Sequence, residues 1–176
     1  MRKKTESTKF IKDCIAESLI KLSKNKSYEE ITVKEICETA GIGRTTYYRY
    51  FSNKDGKNRC LVEYTLSKWK DYCVGKEKQI AEDEGKLLFT YIYDSKEYFI
   101  WLSQNHLTNV IFDVFYDSIG PILGEESSIA FIKSFIAGGI FGVVYNWIEN
   151  EFAEEPEVIY RKIELLKEQN ENKSES

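Results

Sequence analysis

The stretch Ile31–Lys54, ITVKEICETAGIGRTTYYRYFSNK, constrains the fold more than any other part of the chain. Thr32 and Glu35 stand at the Ser/Thr-x-x-Glu spacing of a capping box, so a helix is expected to start with Thr32 as its N-cap. Val33, Ile36, Cys37 and Ala40 follow at intervals of three and four, which gathers them on one buried face. Gly41 comes next, where helices commonly end in a left-handed residue, and Ile42 plugs the turn. A second helix is expected from near Gly43 through Phe51. It is rich in Arg, Thr and Tyr, which can donate to phosphates and base edges while still packing. Two short helices in this register are the layout of a helix-turn-helix, whose second helix enters a DNA major groove.

Charge is distributed to match. The 176 residues carry a net −4, yet residues 1–59 hold a net +6 and the remainder a net −10. A basic head on an acidic body suits a protein that touches nucleic acid at one end. Two Pro and ten Gly interrupt the chain rarely, and 25 aromatic residues supply a large helical core.

Cys14, Cys37, Cys60 and Cys73 have no C-x-x-C spacing and a single His to join them, which argues against zinc. No metal or cofactor is implied. Cys14 and Cys37 lie on apolar helical faces and read as small core residues. Free cysteines behind an N-terminus, MRKKTESTKF, with no apolar run point to the cytoplasm. His106 has no nucleophile or carboxylate pair placed around it by the sequence, and AGGIFG lacks the strand context of a phosphate loop. An enzyme is not expected.

The architecture expected is all-α, with about nine helices: a three-helix head over 1–52 and a helical body over 53–176. The first helix should run from about Glu6 to Lys24, burying Phe10, Ile11, Cys14, Ile15, Leu19 and Leu22, with Arg2–Lys4 a mobile arm. Ser52 and Asp55 are the expected cap of a longer helix reaching about Gly75. GKEKQIAEDEG, 75–85, reads as a connection. Helices are then expected over Lys86–Asp94, Ser95–Gln104 and His106–Ile119, closed by Gly120-Pro121; a strand over Phe89–Tyr93 lacks any hairpin turn signal.

Ser127 or Ser128 should cap a long apolar helix ending near Asn150. Ile129, Ile132, Ile136, Ile140, Val143 and Trp147 form one stripe, and Phe131, Phe135 and Gly142 lie on another face. Ile129–Ile148 has 14 apolar residues in 20, but Lys133 and Asn146 interrupt it and an acidic flank follows. It reads as a buried or shared helix rather than a membrane span. Gly138 and Gly142 allow close backbone approach. Pro156 opens the last helix, carrying Val158, Ile159, Ile163 and Leu166, and the tail from Glu168 is expected to fray.

TVKEICETAGIGRTTYYRYFSNK resembles the DNA-binding signature of the TetR family of transcriptional regulators, through A-G-I at the turn, Thr46, Tyr48, Phe51 and Lys54. TYIYDSKEYFIWL and AGGIFGVVYNWIENEFAEEPEVI resemble one class of C-terminal domain of the same family. The resemblance implies base-reading positions at Arg44 and Thr45. Tyr48 stands within reach of thymine methyls or a phosphate, and Lys34 at a base or backbone contact. Thr32, Thr46, Tyr50 and Lys54 match phosphate contacts, Tyr50 standing where His is frequent, whereas Tyr47 occupies an apolar position. Gly56 and Lys57 depart from the pattern, Lys57 replacing a large apolar residue, and a looser or differently packed joint follows.

The resemblance further implies homodimerisation through residues 128–150 and 156–168, a near-palindromic double-stranded DNA operator, and a small-molecule effector in the body. Trp69, Tyr72, Tyr91, Trp101, His106, Phe112, Phe115, Phe135 and Tyr145 are the candidate effector pocket, for a flat or apolar molecule, cations included. A repressor is the favoured expectation; a coregulator of the same fold acting through a protein partner is the alternative.

Overall fold

The computed structural model describes residues 2–52 and 56–174, with side chains over 6–52 and 56–165. Nine α-helices and no strand occur among them: α1 (Arg2–Leu22), α2 (Val33–Ala40), α3 (Arg44–Tyr50), α4 (Gly56–Cys73), α5 (Glu77–Asp94), α6 (Lys96–Gln104), α7 (Thr108–Ile119), α8 (Ser127–Glu149) and α9 (Pro156–Ser174). In the head, α1 packs on α2 and α4, and α2 on α3. In the body α4 packs on α5 and α7, α7 on α6 and α8, and α5 on α9. α4 therefore belongs to both.

The capping box forms as its spacing requires. Glu35 N–H donates to Thr32 Oγ1 at 3.3 Å, and Thr32 N–H to Glu35 Oε2 at 2.8 Å. Gly41 takes φ +67°, and its N–H closes the helix on Cys37 and Glu38 carbonyls. Ile15, Ala16, Leu19, Tyr28, Ile31, Ile36, Cys37, Tyr47 and Phe51 close the head's core.

Several boundaries move. α1 begins at Arg2, which removes the expected arm, and Phe10 is exposed because the first turns of α1 run past the core. Asp55, one half of the expected α4 cap, lies outside the described residues. Residues 77–82 are helical rather than a plain connection, since Glu, Lys, Gln and Ala there are good helix formers. The helix breaks at Asp83, whose Oδ1 accepts from Lys86 N–H at 3.0 Å and restarts it near the expected point. α7 starts at Thr108 after a left-handed His106, φ +57°. The backbone stays helical to Ser174, although its tail is polar; the side chain of Leu166 lies outside the described set.

The joint between head and body is differently packed, and it is tied rather than loose. Gly56 is buried, and a Cβ there would stand 2.9 Å from the Phe51 carbonyl oxygen, so only glycine lets α4 start this close to the end of α3. Lys57 reaches back into the α1–α2 connection. Its ammonium donates to the carbonyls of Tyr28, Glu29 and Ile31 at 2.8, 3.3 and 3.2 Å, and sits 4.6 Å from the centre of the Tyr28 ring. An apolar residue could fill this volume but could not serve three acceptors. Burial pulls the Lys57 pKa below its ordinary value, against the attraction of Glu29. Lys57→Met should lower stability by about 1–2 kcal/mol, the lower part of the range for charge-assisted bonds because solvent can rescue some carbonyls. A denaturant midpoint unchanged from wild type would show that the clamp contributes nothing.

α8 turns only the C-terminal part of its apolar stripe inward, with Ile140 and Val143 half-buried and Trp147 buried. Ala137, Val144, Trp147 and Ile148 point inward, while Ile129, Ile132 and Ile136 are exposed along with Phe131 and Phe135, each of which is 76 % exposed. A helix apolar all round gives no moment to orient it, and small Ala137 fits the contact with its neighbours better than a branched side chain. By length and composition α8 could cross a membrane.

Candidate nucleic-acid interface and body cavity

α3 divides its side chains between two jobs. Tyr47 is 2 % exposed and packs on Phe51, with ring centres 5.8 Å apart, which pins the helix to the head. Arg44, Thr45, Tyr48 and Arg49 occupy the solvent face, one helical turn apart, and Tyr48 is 50 % exposed while its ring stands edge-on to Tyr47 at 5.5 Å. Arg44 and Arg49 enter no ion pair among the described residues. Two guanidiniums without an ion pair among the described residues, on a short, well-anchored helix, suit bidentate acceptors such as guanine edges or phosphates.

The remaining predicted contacts divide. Lys34 is exposed at the start of α2, 3.8 Å from Glu38. Thr46 and Tyr50 are half-buried, and Tyr50 packs on the core with the Lys12 ammonium 5.5 Å from its ring centre. Thr32 is exposed, but its hydroxyl donates to Glu35 at 2.7 Å, so a phosphate there would compete with the cap. Lys54 lies outside the described residues. Arg49 is a surface cation that the motif did not single out; its i, i+4 spacing from Thr45 was the available signal.

Glu35 ties the cap to the first connection by accepting from Lys26 at 3.0 and 3.2 Å. The Thr32 backbone N–H and hydroxyl, then Lys26, lower its pKa to about 2. A carboxylate depressed on folding contributes stability that is fully present above its unfolded value and is lost as pH falls through the folded one. The cap should therefore hold above about pH 4.5 and weaken progressively towards pH 2. Following the Glu35 side-chain carbon shift by NMR checks this; a midpoint near the ordinary value would show that the cap is not closed in solution.

Ion pairs line the contact of α1 with α4: Lys9 with Asp71 at 2.7 Å, Lys12 with Glu63 at 2.6 Å, and Lys68 with Asp13 and Glu17 at 3.7 and 3.5 Å. Arg59 continues the series from α4 to Asp117 of α7. Charge on the head is thus matched, along α4, by charge on the body.

The body contains a cavity of about 220 Å³ between α4, α5, α7 and α8. Leu66 and Trp69, Leu88 and Tyr91, Phe115, and Ile140 supply its walls. Of the nine residues predicted to line a pocket, Trp69, Tyr91 and Phe115 do. Trp101 lines a separate groove beside α1 with Tyr64 and Tyr98, and its indole N–H donates to Ser23 Oγ at 3.0 Å. Tyr72 borders another hollow, its hydroxyl donating to Asp94 at 2.7 Å. His106 is exposed near the α6–α7 turn. Phe112, Phe135 and Tyr145 are exposed; Phe112 stacks on Tyr116 at 5.3 Å, and Tyr145 on Phe141 at 5.9 Å. Much of the aromatic surplus is therefore outside, along α7 and α8. Sequence reasoning missed the aliphatic lining, because nothing in an aliphatic residue's spacing tells a void from a filled core.

Two family models match the chain. The family model described as bacterial regulatory proteins, tetR family, matches residues 16–56. A second, described as transcriptional regulator C-terminal region, matches residues 82–169, half of the chain. No curated protein matches the chain. With the helix-turn-helix geometry in the head and the matched helical body behind it, the chain belongs to the TetR family of transcriptional regulators.

Proposed function

We propose that the protein is a cytoplasmic, dimeric repressor that reads a near-palindromic operator with α3, and whose operator affinity changes when a small molecule occupies the body cavity. The observation that carries the DNA reading is the exposed face Arg44–Thr45–Tyr48–Arg49, backed by buried Tyr47. The head, 1–52, makes most of the contacts: Arg44 and Thr45 on base edges, Tyr48 on thymine methyls or a phosphate, and Lys34, Thr46 and Tyr50 around them, with Lys54 just beyond the head adding a phosphate contact. Thr32 contributes through the cap it builds more than through its own hydroxyl.

Support for a dimer comes from α8. Phe131, Ile132, Phe135 and Ile136 are exposed on it, and Val158 and Leu165 on α9. Added Cβ atoms at Gly138, Gly139 and Gly142 would meet nothing within 4 Å, so a groove floored by bare backbone opens outward between large side chains. Lipid needs no such groove, whereas a second helix packs closely into one. Two helices from each chain would form a symmetric four-helix contact.

Selection of bound fragments from a random DNA pool tests the reading directly. Near-palindromic sites are expected, since a two-fold dimer presents α3 twice. Arg44→Ala should cost about 1–3 kcal/mol and relax one base of each half-site. Lys54→Ala should weaken all sequences alike and reduce the salt slope by about one. Wild-type protein that enriches no motif would end the operator reading.

A further inference from the structure

The walls of the body cavity specify the chemistry of what fits inside it. Leu66, Leu88, Ile92, Phe99, Val114 and Ile140 contribute hydrocarbon only. The hydroxyls that reach it are already committed. Thr65 Oγ1 donates to the Leu61 carbonyl at 2.8 Å and lies 2.9 Å from the Tyr98 hydroxyl, and Ser118 Oγ donates to the Val114 carbonyl at 2.8 Å. Tyr91 OH lies 3.5 Å from the Thr65 carbonyl. Glu84 and Ser118 are the exposed lining residues, so the cavity opens where they stand, beside the break of α5 at Asp83. A carboxylate at the opening stays hydrated and would repel an anion entering past it.

An apolar cavity of about 150 Å³ is large enough to bind benzene and stays dry when empty. At about 220 Å³ this one has room for a single ring with a short alkyl chain, and not for a nucleotide. A charged group brought inside would exchange water for walls that are mostly hydrocarbon, with the one charged lining residue, Glu84, standing at the opening, and burying a charge there costs far more than the contact of its hydrocarbon returns.

We propose that this cavity takes a small uncharged, hydrocarbon-like ligand, a monocyclic arene with a short alkyl chain or an aliphatic molecule of equal bulk, and discriminates against its charged analogues. This narrows the flat or apolar molecule, cations included, expected from the aromatic count to its uncharged members, because most of those aromatics lie elsewhere. It rests on the effector reading above only for its consequence on DNA, not for binding.

Three probes share one body and differ in charge: n-butylbenzene, 4-phenylbutylamine and 4-phenylbutyrate. Calorimetry and melting temperature on the full chain should show n-butylbenzene binding and raising the melting temperature. The amine and the carboxylate should bind at least about tenfold more weakly, the carboxylate weakest. Tighter binding of the amine than of n-butylbenzene would make Glu84 an anchor and overturn the proposal, as would no binding of n-butylbenzene up to its solubility. Leu88→Trp and Leu66→Phe each fill the cavity from a half-buried position, so one serves if the other fails to fold. Both should abolish n-butylbenzene binding; unchanged affinity in a folded, filled variant would place the ligand elsewhere and overturn it. Titration of the selected operator with and without n-butylbenzene separates the two readings. Binding that leaves operator affinity unchanged keeps the ligand class and refutes the effector role.

Discussion

Gly142→Leu is expected to leave the single chain as stable as before, or more stable, while dissociating the proposed dimer. Gly142 is helical and exposed, and a Cβ there meets nothing within 4 Å, so the isolated chain has room for a larger side chain. Replacing glycine in a helix interior by leucine contributes about 0.5–1 kcal/mol from backbone entropy alone. A partner helix lying in the groove would meet that side chain at a close crossing, where extra volume cannot be absorbed. The opposite signs make the test sharp. Sedimentation at micromolar concentration should fall from twice the chain mass to the chain mass, while the denaturation midpoint of the dilute protein holds or rises. Operator affinity should drop by about 10²–10⁴-fold, since each half-site would then be bound without the second. Wild-type protein that sediments as a monomer, or a Gly142→Leu protein that stays dimeric, would remove α8 from the interface.

The second large effect is expected at Trp147, which is 2 % exposed where α5, α8 and the α8–α9 turn meet. Its ring stacks on Tyr93 at 5.8 Å and packs on Phe152 at 4.8 Å and Phe89 at 6.1 Å, and its indole N–H donates to the Glu154 carbonyl at 3.0 Å. Trp147→Ala should cost about 3–5 kcal/mol, because a rigid cluster of rings cannot collapse into the space. At about 2–4 °C per kcal/mol for a chain of this size, the melting temperature should fall by about 6–20 °C. Trp147→Phe keeps the ring contacts and loses the hydrogen bond, so it should cost far less. Equal losses in the two variants would show that the Glu154 bond, rather than ring packing, holds the turn.

Local signals in the sequence determined the head. The capping box of Thr32 and Glu35, the left-handed Gly41 and the apolar interval of α2 each act within a few residues, so no distant part of the chain can override them cheaply. The solvent face of α3 follows in the same way once Tyr47 is placed inside. The helix count of the body and the start of α9 at Pro156 were legible for the same reason, because caps and breakers are local.

Which way each body helix faces was decided only in the tertiary structure. α8 is apolar all round, so its own pattern did not choose between Ile132 and Ala137 as the inward side; contact with α6 and α7 chose Ala137. Of the aromatic residues read as a pocket lining, Phe112, Phe135 and Tyr145 went to the outer surface of α7 and α8 and Tyr72 and Trp101 to other hollows, while aliphatic residues from four helices joined Trp69, Tyr91 and Phe115 around the cavity. A void is a property of how helices fail to fill the space between them, and no single helix encodes it. Lys57 makes the same point in reverse. It broke the expected apolar pattern, and the carbonyls of residues 28, 29 and 31, far away in sequence, supplied the partners that make a lysine fit there.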